Sequence, residues 1–170
     1  MIRAWRIVKT TFSADAFSGE GAWLYGGRWN SVGVAMVYTA GSKSLATLEL
    51  LVHLDSSMRL PSYSSCPVDF DDSLVEVVDP AVLPLDWRQS PPPTSLQVIG
   101  DDWISRQSSV VLRVPSAVVP DENNYLINPI HRDFKHLLNQ QYGTLQLGLA
   151  VNNLIGQLAA TQLRHSRTGQ

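Results

Sequence analysis

The apolar positions of this chain change period several times, and each change predicts an element. Residues 2–8 alternate, which predicts a first strand with Trp5 and Ile7 sharing its inner face. Val34 to Thr39 reads as a second strand, and Ser42 is placed to cap a helix running to about Asp55. Residues 63–78 suggest two short strands before a proline-rich loop from Pro80 to Pro93. Thr94 is a candidate cap for a helix carrying Leu96, Ile99 and Trp103, followed by a buried strand at Val110–Val114 that Pro115 and Ser116 end or kink. Asn124–Ile127 suggests another short strand. Leu147, Val151, Leu154, Ile155 and Leu158 fall at helical spacing.

One segment fits neither period. Between Ser18 and Gly33, five glycines interleave with Trp23, Tyr25, Trp29 and Asn30, a mixture that lines clefts or makes tight turns. At about 100° per residue, the predicted helix after Ser42 places Glu49 between Leu45 and Val52 on one side and Ala46 and His53 on the other. A carboxylate on a core-facing stripe costs several kcal/mol unless it is paired, hydrogen-bonded or opened to a cleft, so roughly that much must be recovered by a partner or a function. The competing reading is a buried ion pair or a partly exposed helix position.

Composition narrows the classes. The 170 residues fit one unit, and 44% hydrophobic with 16% charged residues describes a globular chain. A net charge of -2 with scattered Lys and Arg gives no footprint for nucleic acid, so direct DNA binding is not expected. The single cysteine, Cys66, excludes an internal disulfide framework and a thiolate metal site. The four histidines show no ligand spacing, so no metal is expected. No apolar run resembles a signal peptide or reaches the ~18 residues of a membrane span, and a cytoplasmic protein without membrane contact is expected. Nucleophile-elbow, dinucleotide-fingerprint and P-loop motifs are absent, which removes serine hydrolases, Rossmann enzymes and kinases.

Three further positions carry candidate chemistry. Arg28 lies in Tyr25-Gly26-Gly27-Arg28-Trp29-Asn30, where glycines let backbone approach a ligand and a guanidinium can grip phosphate through two donors; stacking on Trp29 is the alternative. Tyr38, near the end of the second strand, is either a packing surface for a flat heteroaromatic or a core tyrosine. Ser116 offers a hydroxyl to a phosphate or ribose, or is plain turn chemistry.

These residues, with their surroundings, resemble the RES-domain family, toxins of bacterial toxin–antitoxin pairs named for an arginine, a glutamate and a serine. The similar segments are Gly26–Asn30, Val37–Ala40, Leu45–Glu49, Ile99–Trp103, Val114–Val118 and Asn128–His131, within about residues 3–136. The resemblance implies an α+β fold like that of ADP-ribosyltransferases, a single domain with a split mixed β-sheet flanked by helices. It puts the NAD-binding catalytic domain at residues 1–136 and leaves 137–170 as a C-terminal extension.

It implies cleavage of NAD at the nicotinamide–ribose bond, with NAD as substrate and no separate cofactor. Arg28 and Glu49 become the catalytic pair, Tyr38 and Ser116 substrate-binding residues, and Trp29 with Asn30 the shapers of the rim. It further implies a neutralising Xre-type helix-turn-helix antitoxin, through which alone DNA would be bound, and a toxin homodimer within a larger complex. Modification of a specific protein by ADP-ribosyl transfer and a non-catalytic nucleotide-binding module remain the alternatives.

Overall fold

The computed structural model describes residues 1–52, 62–138 and 145–146. Seven strands form one sheet in the order β4-β5-β6-β2-β1-β3-β7. They are β1 (Ile2–Lys9), β2 (Val37–Ala40), β3 (Tyr63–Phe70), β4 (Val75–Val77), β5 (Val111–Pro115), β6 (Asn123–Ile127) and β7 (Leu145–Gln146). Four α-helices accompany them: α1 (Glu20–Tyr25), α2 (Lys43–Leu51), α3 (Thr94–Arg106) and α4 (Phe134–Leu138). Only β4 and β5 run parallel, so the sheet is mixed.

The sheet is split in its middle. β1 and β3 pair along eight residue positions, from Ile2↔Phe70 to Lys9↔Tyr63, and β2 pairs with β6 from Val37↔Ile127 to Ala40↔Asn124. Between β1 and β2, in contrast, a single register pair, Trp5↔Ala40, joins the two halves. Away from that bridge the halves diverge, and a cleft opens.

Alternation along the central strands divides the core. Val37, Val111, Tyr125 and Ile127 point to one cluster with Ala4, Val68, Phe70 and Leu137, while Leu112, Val114 and Leu126 point to the other with Leu96, Trp103 and Ile104 of α3. α3 thus covers one face of the sheet. Gly100 is required there, because a Cβ would overlap the carbonyl oxygen of Trp29. A third cluster, Ala40, Leu45 and Ala46 with Trp5 and Ile7 against it, docks α2 beside the bridge, so Trp5 and Ile7 do share one face.

The element boundaries differ from the sequence pattern in places. β2 begins at Val37 because Gly33 takes φ +90° and the Val34 carbonyl is held by Asn30. Ser42 caps α2 as expected, its hydroxyl accepting from the Leu45 amide at 3.0 Å. That helix is described to Leu51, and His53 and Asp55 lie outside the described residues. Pro93, extended at φ -66° and ψ 142°, caps α3, and Thr94 is its first helical residue. The glycine-rich segment contains a short helix, α1, that periodicity did not reveal. The apolar stripe from Leu147 to Leu158 lies outside the described residues. No helix among the described residues is long and apolar enough to cross a membrane.

Candidate active site

The cleft in the sheet has a volume of about 440 Å³, and Arg6, Arg28, Tyr38, Glu49 and Asn124 are among the side chains lining it. The two residues singled out for chemistry, Arg28 and Glu49, therefore face one cavity, although they come from a loop and a helix separated by β2.

Glu49 projects from the second turn of α2. Its Oε1 accepts from the Ser116 hydroxyl at 2.8 Å and from the Asn124 carboxamide nitrogen at 2.7 Å. Ser116 has no freedom in this. Its oxygen already accepts from the amides of Val118 (3.1 Å) and Val119 (3.0 Å), so its one proton is directed at Glu49. The start of α2 is fixed to the same turn, because Ser42 donates to Glu122 at 3.0 Å while capping the helix.

Arg28 is held from the other side. Its Nη1 donates to the carbonyls of Trp87 (2.7 Å) and Gln89 (3.1 Å), so the proline-rich loop closes over the guanidinium. Burial pulls the Arg28 pKa down, while the charges of Glu49 and Tyr38 oppose that shift. Gly27 lets this turn sit against β2: a Cβ there would lie 2.5 Å from the Tyr38 hydroxyl and 2.8 Å from Asn30 Oδ1.

Tyr38 is a structural hub as well as part of the wall. Its hydroxyl accepts from the Trp29 amide at 3.0 Å and donates to Asn30 Oδ1 at 2.7 Å. Burial raises its pKa well above the ordinary phenol value.

The remaining three positions stand behind the cleft wall. Trp29 is 2% exposed and packs with Met36, Leu96 and Trp103. Asn30 is fully buried, its carboxamide donating to the carbonyls of Ala22, Ser31 and Val34. Neither forms a rim: the turn needs its carbonyls satisfied internally, and Asn30 does that while Trp29 anchors the loop to α3. Ser116, also fully buried, reaches the cleft only through Glu49.

Two lining residues escaped the sequence reading. Arg6 on β1 donates from Nη1 to the Tyr38 carbonyl at 2.9 Å, and burial lowers its pKa. Among the described residues no carboxylate pairs with it. A signal existed, since Arg6 falls on the same alternation as Ile2, Ala4 and Val8, three positions in or against the core. Asn124 gave none, because a polar residue in a short strand is ordinary. Two guanidiniums stand against one carboxylate among these five, so the lining carries an excess of positive charge.

A mixed sheet split between β1 and β2 and flanked by helices is the architecture of the ADP-ribosyltransferase-like α+β fold. The match to a chain from the crystal structure of the M. tuberculosis MbcT–MbcA toxin–antitoxin complex is one of fold, with a TM-score of 0.68, 19% identity, and 94% of this chain and 89% of that chain covered. The chain itself belongs to the RES-domain family, whose model matches residues 3–148. A protein named Toxin Res from Yersinia enterocolitica is 42% identical over 135 residues, covering 79% of this chain and 89% of that protein. A Prs ADP-ribosylating toxin from Sphingobium is also 42% identical, over 136 residues, 77% of this chain and 84% of its own length.

Proposed function

We propose that this chain is the toxin of a toxin–antitoxin pair and that it depletes NAD by cleaving the nicotinamide–ribose bond. The observation that carries the proposal is the tethered Glu49 carboxylate, facing a cleft that also holds two arginines. Family membership and relatives named as toxins support it.

The chemistry asks little of the protein. When the bond from ribose C1′ to the pyridinium nitrogen breaks, its electron pair stays on nitrogen, and neutral nicotinamide leaves without a general acid. The ribose is left with oxocarbenium character. A fixed carboxylate stabilises that positive charge, and it needs no reorganisation if it is already oriented. Glu49 takes this role, or holds the ribose hydroxyls. The Arg28 and Arg6 guanidiniums balance the pyrophosphate charge, and Tyr38 offers its ring to nicotinamide. Capture of the cation by water, with loss of one proton, gives ADP-ribose. Capture by inorganic phosphate gives ADP-ribose 1″-phosphate.

The Sphingobium relative's name favours a second reading, in which a protein side chain captures the same cation. The partner in either case is a cognate antitoxin, proposed to be of the Xre type, that restrains the activity and supplies DNA binding to a complex built on a toxin homodimer. The test is incubation of pure protein with NAD, with and without phosphate and with and without a cell extract as the source of protein acceptors, followed by mass spectrometry. Nicotinamide with ADP-ribose or its 1″-phosphate is the expected result. Labelling of a target protein with little free ADP-ribose favours the second reading, and an unchanged NAD pool in every condition rejects both.

A further inference from the structure

Two donors hold Glu49 Oε1, and they are not equivalent. Ser116 is sealed behind the wall, whereas Asn124 lines the cleft on the strand next to β2. Asn124 sits on β6 opposite Ala40 on one side and Val114 on the other, so its backbone is held by both neighbouring strands. Its side chain is committed in an unusual way. Nδ2 makes the 2.7 Å bond to Glu49, while Oδ1 is buried and has no partner.

A buried acceptor without a donor is unfavourable and rare, so such a group is a sign that something else fixes the orientation. Turning the amide over would bring Oδ1 against the carboxylate oxygen and lose the only hydrogen bond this carboxamide makes among the described residues. Glu49 alone therefore sets the orientation, at the expense of Oδ1.

From this we infer that Asn124 is a positioning residue for the reaction proposed above. Its amide orients the Glu49 carboxylate toward the cleft. The other ionisable groups facing Glu49 are Arg28 from the glycine turn, Arg6 from β1 and Tyr38 from β2, with Glu122 nearby through Ser42 at the start of α2.

The experiment compares Asn124→Leu and the smaller Asn124→Ala with the unmodified protein, using kcat and KM for NAD and thermal melting. Both variants are expected to lower kcat about ten- to hundredfold, as for loss of a hydrogen bond to a charged group, with KM little changed. In a Glu49→Gln background the same changes are expected to cost almost nothing more, because the residue acts through Glu49.

A full additional loss in that background, a loss carried by KM instead of kcat, or a kcat that stays at the starting level would overturn the inference. If one variant does not fold, the other decides. Absence of NAD turnover by the unmodified protein is a separate outcome: it defeats the proposed function and removes the reaction on which this inference rests.

Discussion

The two charges that meet in the cleft are anchored by different means. Glu49 stands on a capped helix and is gripped by side chains from a strand and a strand end, all tied to one hairpin. Arg28 stands on a glycine-flanked turn and is gripped by two backbone carbonyls of a proline-rich loop. Side-chain anchors hold a carboxylate by donating to it, and carbonyl anchors hold a guanidinium by accepting from it. The carboxylate is thus specified by residue identity at positions 116 and 124, whereas the guanidinium is specified by the path of a loop whose sequence is free to vary wherever its carbonyls are kept.

The contrast can be broken from its strong side first. Glu49→Ala is expected to lower NAD turnover by ~10²–10³, the range for loss of a preorganised charge-stabilising group, and steady-state kinetics checks it. On the Arg28 side, Arg28→Lys keeps the charge but cannot both span two carbonyls and present a planar fork to an anion. A loss in kcat/KM of about tenfold, mostly through KM, is the expected result. If Arg28→Lys proves harmless while Glu49→Ala does not, the loop grip has no functional weight.

Gly27→Ala tests the turn. The new methyl meets the Tyr38 hydroxyl and Asn30 Oδ1, and about 1–3 kcal/mol of stability should be lost, read as a lower denaturation midpoint. Tyr38→Phe removes one acceptor and one donor from that network and should cost about 1–2 kcal/mol.

The same phenol gives a pH prediction. Because the folded-state pKa of Tyr38 is raised above its unfolded value, its contribution to stability is complete below about pH 10 and declines as pH rises beyond that. The stability of Tyr38→Phe should therefore fall less steeply above about pH 10 than that of the unmodified protein, read as denaturation midpoints by circular dichroism at successive pH values. An identical alkaline profile in both proteins would contradict the burial of that hydroxyl.

The sequence pattern carried most of the fold because its periods are local. The eight-residue alternation of β1, the Ser42 cap and the α3 stripe are each written in neighbouring residues. Glu49 was legible for the same reason, since a helical wheel exposes a carboxylate among apolar neighbours. Ser116 was legible by motif, but its role was not. Whether its hydroxyl meets a ligand or another side chain depends on how the β5–β6 hairpin docks against α2, a contact between residues 67 apart in sequence. Trp29 and Asn30 read as rim residues because glycines surround them. Their burial follows from α3 packing over the turn through Gly100, which no pattern within residues 18–33 encodes. Asn124 was invisible, as its partner is visible only in three dimensions.

The lone backbone bridge between the two halves of the sheet has an architectural consequence. β1 and β2 each present an open strand margin inside the molecule, where most proteins keep such margins at the periphery. Nothing in hydrogen-bond geometry prevents them from zipping together except what stands between them. The Arg6 side chain occupies the Tyr38 carbonyl that a zipped strand would need. A long basic side chain thus serves as a wedge, and the cavity persists because the ladder is denied its next rung.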